Sequence, residues 1–183
     1  DTQSITGLTI TKSFVSNNLF AGDVSIIRYT ITNAAASVAA ADISFTDNLS
    51  GALSSLAATS LPSTPCGGGS NINGTTTLTI TGGSLNSGGS CTFDVPILIP
   101  AGASSGAYIS VSSTLSATVD GNNTVTPSAV DTLYVDTLET VISTTASKPT
   151  YSSPIPVNIN FARPVKNFTI SYLLASNGTI SKF

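Results

Sequence analysis

AGDVSIIRYTITNAAASVAAADISFTDNLSGAL, residues 21–53, decides the fold. Ile27, Tyr29 and Ile31 share one parity while Arg28, Thr30 and Thr32 share the other, the period-2 signature of a half-buried strand. After an alanine-rich turn, Ile43, Phe45 and Asp47 repeat the alternation. Two strands joined across one face of a sandwich are therefore expected, with the remaining strands added to that pair.

Working outward, Leu8 and Ile10 alternate with Thr9 and Thr11, and the inward parity continues through Lys12 to Phe14. Asn17, Asn18, Ala21 and Gly22 supply a turn into the organising strand. Beyond Asp47, a loop leaves the sheet and runs through Pro62, Pro65 and the glycines at 67–69. Leu78 and Ile80 mark another strand, which ends at Gly82-Gly83. Cys91, Phe93, Val95, Ile97 and Ile99 form the longest alternation, and Pro96, lacking a donor, points this strand toward a sheet edge or a bulge. Tyr108–Val111 and Leu115–Val119 follow, then a tight turn at 120–123 and a closing strand at Val130–Val135. No helical period interrupts the series. Seven or more short strands at regular spacing predict an all-β protein, an immunoglobulin-like Greek-key β-sandwich over residues 1–136.

Composition narrows the class. Of 183 residues 40% are hydrophobic, enough for a packed core, while only 8% are charged. Six basic and nine acidic residues give a net charge of -3 without any block of like charge, so no basic stripe exists to follow a nucleic-acid backbone. No apolar run is long enough to span a bilayer. The first residue is Asp1 and not Met, which reads as a processed or excised piece. The absence of histidine removes Ser-His-Asp and Cys-His catalysis from consideration, so no enzyme is expected. Trp is absent as well and the tyrosines fall mostly in strands, which leaves a carbohydrate-binding module without a visible stacking platform.

Two cysteines, Cys66 in PCGGGS and Cys91 in GGSCTF, are too few for zinc and too far apart for a redox pair. A disulfide is the reading that remains, and it places the chain in an oxidising, extracytoplasmic setting. VDTL occurs at Val130–Leu133 and again at Val135–Leu138, with leucine where an aspartic protease needs glycine. A final strand and linker explain it. The functional alternative is that Asp131, Asp136 and Glu139 offer hard oxygens to a Ca2+ ion at a domain junction. Lys12 and Asp47 both fall on inward parity at strand ends, where an unpaired charge would be costly. A charge pair satisfies them. A covalent Lys12–Asp47 or Lys12–Asn33 amide, of the kind found in some surface adhesins, is the sharper alternative.

LTITKSF, AGDVSIIRYTITN, ISFTDNLSGAL, CGG, GGSCTFDVPI, SGAYISV and a closing LYV, in that order, resemble the bacterial repeat called domain of unknown function eleven over residues 4–136. Asp47-Asn48-Leu49-Ser50 stands where that repeat usually reads Asp-Thr-Leu-Pro. The resemblance implies an extracellular sandwich strung in arrays on large surface and secreted proteins, with no catalytic residues. Residues 137–183 resemble the first half of an immunoglobulin-like repeat of giant adhesins, through PIPVNINFARPVKNFTIS and NGTISKF. Ser171-Tyr172 replaces the serine–aspartate usual in such repeats. This tail has room for about four strands where a full sandwich has about seven. The missing half is expected from a longer polypeptide, from an identical subunit by β-strand addition, or from packing on the first domain.

Overall fold

The computed structural model describes residues 7–16, 19–35, 38–147, 153–165 and 168–181. The turn residues Asn17 and Asn18 lie outside them. The chain divides into two compact units, Asp1–Thr137 and Leu138–Phe183.

The first unit is an immunoglobulin-like sandwich of two antiparallel sheets. One sheet has the order β1 (Leu8–Phe14), β2 (Val24–Asn33), β7 (Ser90–Leu98) and β4 (Ala57–Ala58). The other runs β10 (Asn122–Thr126), β9 (Leu115–Val119), β3 (Ala40–Asn48), β6 (Thr77–Leu85) and β5 (Asn71–Asn73). The chain therefore crosses between layers from β2 to β3, from β3 to β4, from β4 to β5 and from β6 to β7. The organising stretch supplies one central strand to each layer. Ile27, Tyr29 and Ile31 from β2 and Ile43 and Phe45 from β3 are buried in one core with Leu78, Ile80, Phe93, Val95, Ile97 and Leu115.

An antiparallel pair of strands, β8 (Gly106–Val111) and β11 (Val130–Val135), forms a separate two-stranded sheet. Leu19 bridges Val135 in parallel, and the Asp136 N–H donates to the Leu19 carbonyl at 2.7 Å. β9 and β10 are joined by a tight turn at Asp120 and Gly121, whose φ values of 50° and 70° lie in the left-handed region that a two-residue hairpin turn takes to match the right-handed twist of its strands. Pro96 lies within β7, opposite Ile26 of β2. Its carbonyl accepts from the Thr59 N–H, and in an antiparallel strand a residue's N and C=O face the same neighbour. The missing donor thus faces the two-residue edge strand β4, so the β2–β7 ladder is unaffected.

Where the sequence read as a loop leaving the sheet, the structure has one helical turn, α1 (Leu49–Ala52). The Asn48 side chain caps it by accepting from the Gly51 N–H at 3.0 Å, and Leu49 is buried beneath.

In the second unit the described residues form a two-stranded sheet of β12 (Thr140–Ser143) and β13 (Asn158–Phe161), followed by a 3-10 turn at Ile170–Tyr172. Phe161 and Phe168 meet edge to face at 4.9 Å. No described side chain of this unit is buried, and Val141, Ile142 and Val157 are exposed. About four strands were expected here and two are present among the described residues; Pro154, Pro156 and Pro164, which cannot donate to a ladder, flank β13.

Candidate functional site

The first unit buries a cluster of polar groups between its layers. Lys12 is held on β1 by its pairing with Tyr29 of β2, and the alternation that sends Leu8 and Ile10 inward sends its amine inward too. Asp47 sits near the end of β3, inward by the same parity as Ile43 and Phe45. The Lys12 Nζ donates to Asp47 Oδ2 at 2.6 Å and to Ser110 Oγ at 2.7 Å. The Tyr29 hydroxyl donates to the same Asp47 oxygen at 2.7 Å. The Lys12 and Asp47 side chains have no solvent exposure at all. Because β1 and β3 belong to different sheets, this pair ties the two layers through the core.

Aromatic rings wall the cluster. Tyr29 stacks on Phe93 at 5.2 Å and meets Phe45 at 5.4 Å with a tilt of 52°. The enclosure sets the electrostatics. Burial pulls the Lys12 amine below its usual range, against the raising influence of Asp47 and, more weakly, Asp131. Burial first, and then the Asp47 carboxylate, hold the Tyr29 hydroxyl well above its usual value of 10.0. One atom is left over. Asp47 Oδ1 is buried without a hydrogen-bond partner, whereas Oδ2 has two.

The raised Tyr29 value carries a pH dependence. The unfolded chain ionises this hydroxyl from pH 10.0 upward, while the fold keeps it protonated to higher pH. Its stabilising share is full below pH 10.0 and is lost as pH rises through the folded value. Urea midpoints measured below and above pH 10.0 should show a steeper alkaline loss in the wild type than in Tyr29→Phe. Equal slopes would contradict this assignment.

Cys66 and Cys91 are joined by a disulfide with a Cα–Cα distance of 5.4 Å. Cys91 lies on β7 opposite Ile31, and the Cys66 carbonyl accepts from the Ser84 N–H of β6. This is a second tie between the layers. On the outer face of the first sheet, Arg28 and Asp94 form a paired two-point contact at 2.8 Å, solvated and of small energetic weight.

Asn33 is not near Lys12 in register. It pairs with Leu8 at the other end of β1, and its amide donates to the carbonyls of Val38 and Asn86. Of the three acids proposed for calcium, Asp131 has a carboxylate oxygen already engaged. Asp131 Oδ2 accepts from the Phe14 N–H at 2.7 Å, and the Asp136 N–H is spent on Leu19. Glu139 belongs to the second unit, where its carbonyl accepts from Ala162. Among the described residues no group of three or more His, Cys, Asp or Glu stands close enough to hold a metal ion. No described helix is long and apolar enough to cross a membrane.

The alternation did not single out Tyr29 and Ser110 as polar partners. Tyr29 reads as one more apolar residue of β2. Ser110 is fully buried while its neighbours Ile109 and Val111 are 65% and 50% exposed, the reverse of what hydrophobicity suggests. A shallow depression of about 230 Å³ is lined mostly by serine and threonine residues in β3, in β6 and in or just before β9, with Phe45 and Ile80 among them. Its one aromatic neighbour, Phe45, is buried, so the depression offers no ring on which a sugar could stack.

The fold and its sealed polar core define an immunoglobulin-like β-sandwich module. The chain belongs to the family described as a domain of unknown function, DUF7933, whose model matches residues 9–135. A comparison with curated proteins gives no match. Among solved structures, a chain of the CaDoc0917–CaCohA2 complex at pH 5.5 is 16% identical with a TM-score of 0.48, over 70% of this chain and 100% of that one. The seventh ScaB type I cohesin from Pseudobacteroides cellulosolvens is 9% identical with a TM-score of 0.45, over 70% of this chain and 94% of its own. A PapD-like domain of human CEP192 is 14% identical with a TM-score of 0.32, over 74% and 86%.

Proposed function

We propose that this chain is a non-enzymatic extracellular structural module, a spacer in the stalk of a bacterial surface adhesin. The observation that carries the reading is the pair of ties between layers: a buried Lys12–Asp47 contact between strands of opposite sheets, and a Cys66–Cys91 disulfide that fastens a loop hydrogen-bonded to β6 onto β7 of the other sheet. Such ties resist shear between sheets and offer nothing to a substrate, since the charged cluster is closed to solvent. The disulfide supports an oxidising compartment. The resemblance of the first unit to the domain of unknown function eleven repeat supports an array on the cell surface.

A second reading, a subunit of an extracellular filament, is favoured by one observation. The β12–β13 sheet has two unpaired edges and exposed Val141 and Ile142 among its described residues, a surface suited to strand addition from an identical subunit. Light scattering on the native protein, with an intact mass of the denatured chain, separates the two. A monomer at all concentrations agrees with the spacer. A heat-resistant polymer of this same chain would sink the spacer reading in favour of the filament.

A further inference from the structure

We propose that Lys12 and Asp47 are joined by a side-chain amide, Nζ to Cγ, formed within the folded core with loss of one water. Four observations carry it. The nucleophile and the acyl carbon are brought together by two different sheets, with Nζ 2.6 Å from Oδ2, and neither side chain reaches solvent. Positioning of this kind replaces the entropy that a bimolecular condensation would have to supply. Tyr29 donates to Oδ2 at 2.7 Å, where it would hold the oxygen that becomes negative when nitrogen attacks. Asp47 Oδ1 has no partner, so the carboxylate has one oxygen the fold holds and one it does not.

The alternative amide is removed by geometry. Asn33 pairs with Leu8, four positions along β1 from Lys12, and its amide is already committed to two carbonyls.

The step balances without any added reagent. Starting from the ammonium–carboxylate pair, one proton passes from Nζ to the carboxylate and settles on Oδ1, leaving a neutral amine and a carboxylic acid. The amine attacks Cγ, and Oδ2 carries the negative charge under the Tyr29 hydroxyl. A second proton leaves nitrogen for Oδ1, the Cγ–Oδ1 bond breaks, and water departs as the Cγ–Oδ2 double bond reforms. Nitrogen goes from three hydrogens to one, and Oδ1 leaves with two. Ser110 Oγ, accepting from Nζ at 2.7 Å, orients the amine during the transfer.

The product suits the site better than the reactants do. Two desolvated charges become one neutral amide, which removes the penalty a buried ion pair bears in a low-dielectric interior. The unpartnered oxygen is gone, and the remaining carbonyl keeps its tyrosine donor. The depressed pKa of the Lys12 amine works in the same direction, because only the neutral form attacks.

The test is an accurate intact mass of the full chain, denatured with its disulfide retained. The expected mass is that of the sequence less two hydrogens for the disulfide and less one water, and digestion should give a branched peptide containing Lys12 and Asp47. Lys12→Arg should restore the missing water. A wild-type mass without the water loss overturns the proposal. So does a water loss that persists in Lys12→Arg, which would indicate an internal succinimide, or a branched peptide that joins Lys12 to any residue other than Asp47.

Discussion

Lys12→Met is expected to lower the unfolding free energy by about 3–5 kcal/mol, the cost of breaking a buried pair so that one charge is left without compensation. The methionine fills most of the lysine's volume, so packing changes little. What changes is Asp47: its carboxylate, fully buried, would keep only the Tyr29 hydroxyl as a donor. The diagnostic variant is Lys12→Met combined with Asp47→Leu. With both charges gone the desolvation penalty disappears, and the double variant should recover much of the loss. It should retain a deficit of about 1–3 kcal/mol, because the buried Tyr29 hydroxyl no longer has an acceptor. Urea unfolding of the three proteins reads these differences directly. A double variant no more stable than Lys12→Met would mean that the loss is that of the connection between the layers, as the proposed amide provides, and that the Asp47 charge left unpaired in Lys12→Met costs little.

How much of this arrangement could be read in advance depends on the strand. The alternation in β2 and β7 is unambiguous, because Ile27, Tyr29 and Ile31 and then Phe93, Val95 and Ile97 put bulky residues on one face, and all are buried. The same parity puts Lys12 and Asp47 inward, so their burial is written in the local pattern. Their meeting is not, since it depends on which layer each strand joins. β8 shows the opposite situation. Ile109 and Val111 look like core residues, yet they face outward because the register against β11 pairs them with Thr132 and Val130 on the exposed side. Ser110 occupies the inward position, where its hydroxyl accepts from Lys12. Tertiary demand for one acceptor overrides hydrophobic preference, and no window of sequence can show that. α1 was hidden for another reason: four residues are too few to display a helical period, and its one local signal is Asn48 three positions before Gly51.

Loss of the Cys66–Cys91 disulfide, by reduction or by Cys66→Ala with Cys91→Ala, is expected to destabilise the protein by roughly 3–4 kcal/mol through release of the unfolded chain. The bond closes a segment of 25 positions. The stretch around Cys66 has little regular structure of its own, since between Ala58 and Asn71 the chain forms no strand or helix. Its folded conformation rests on a few contacts around the cystine. The Cys66 N–H donates to Ser70 Oγ, the Cys66 carbonyl accepts from Ser84, and Gly83 leaves room for the packed Cys66 Cβ and Ile43. Two effects therefore separate in one experiment. If the disulfide acts mainly on the unfolded state, reduction shifts the urea midpoint while the described native contacts persist, and amide exchange at Cys66, Ser70 and Ser84 rises only in step with global unfolding. If it acts mainly by pinning the segment in the native state, exchange at those amides accelerates well beyond the global change. A midpoint unmoved by reduction would contradict both, and with them the role of the disulfide as a tie between the layers.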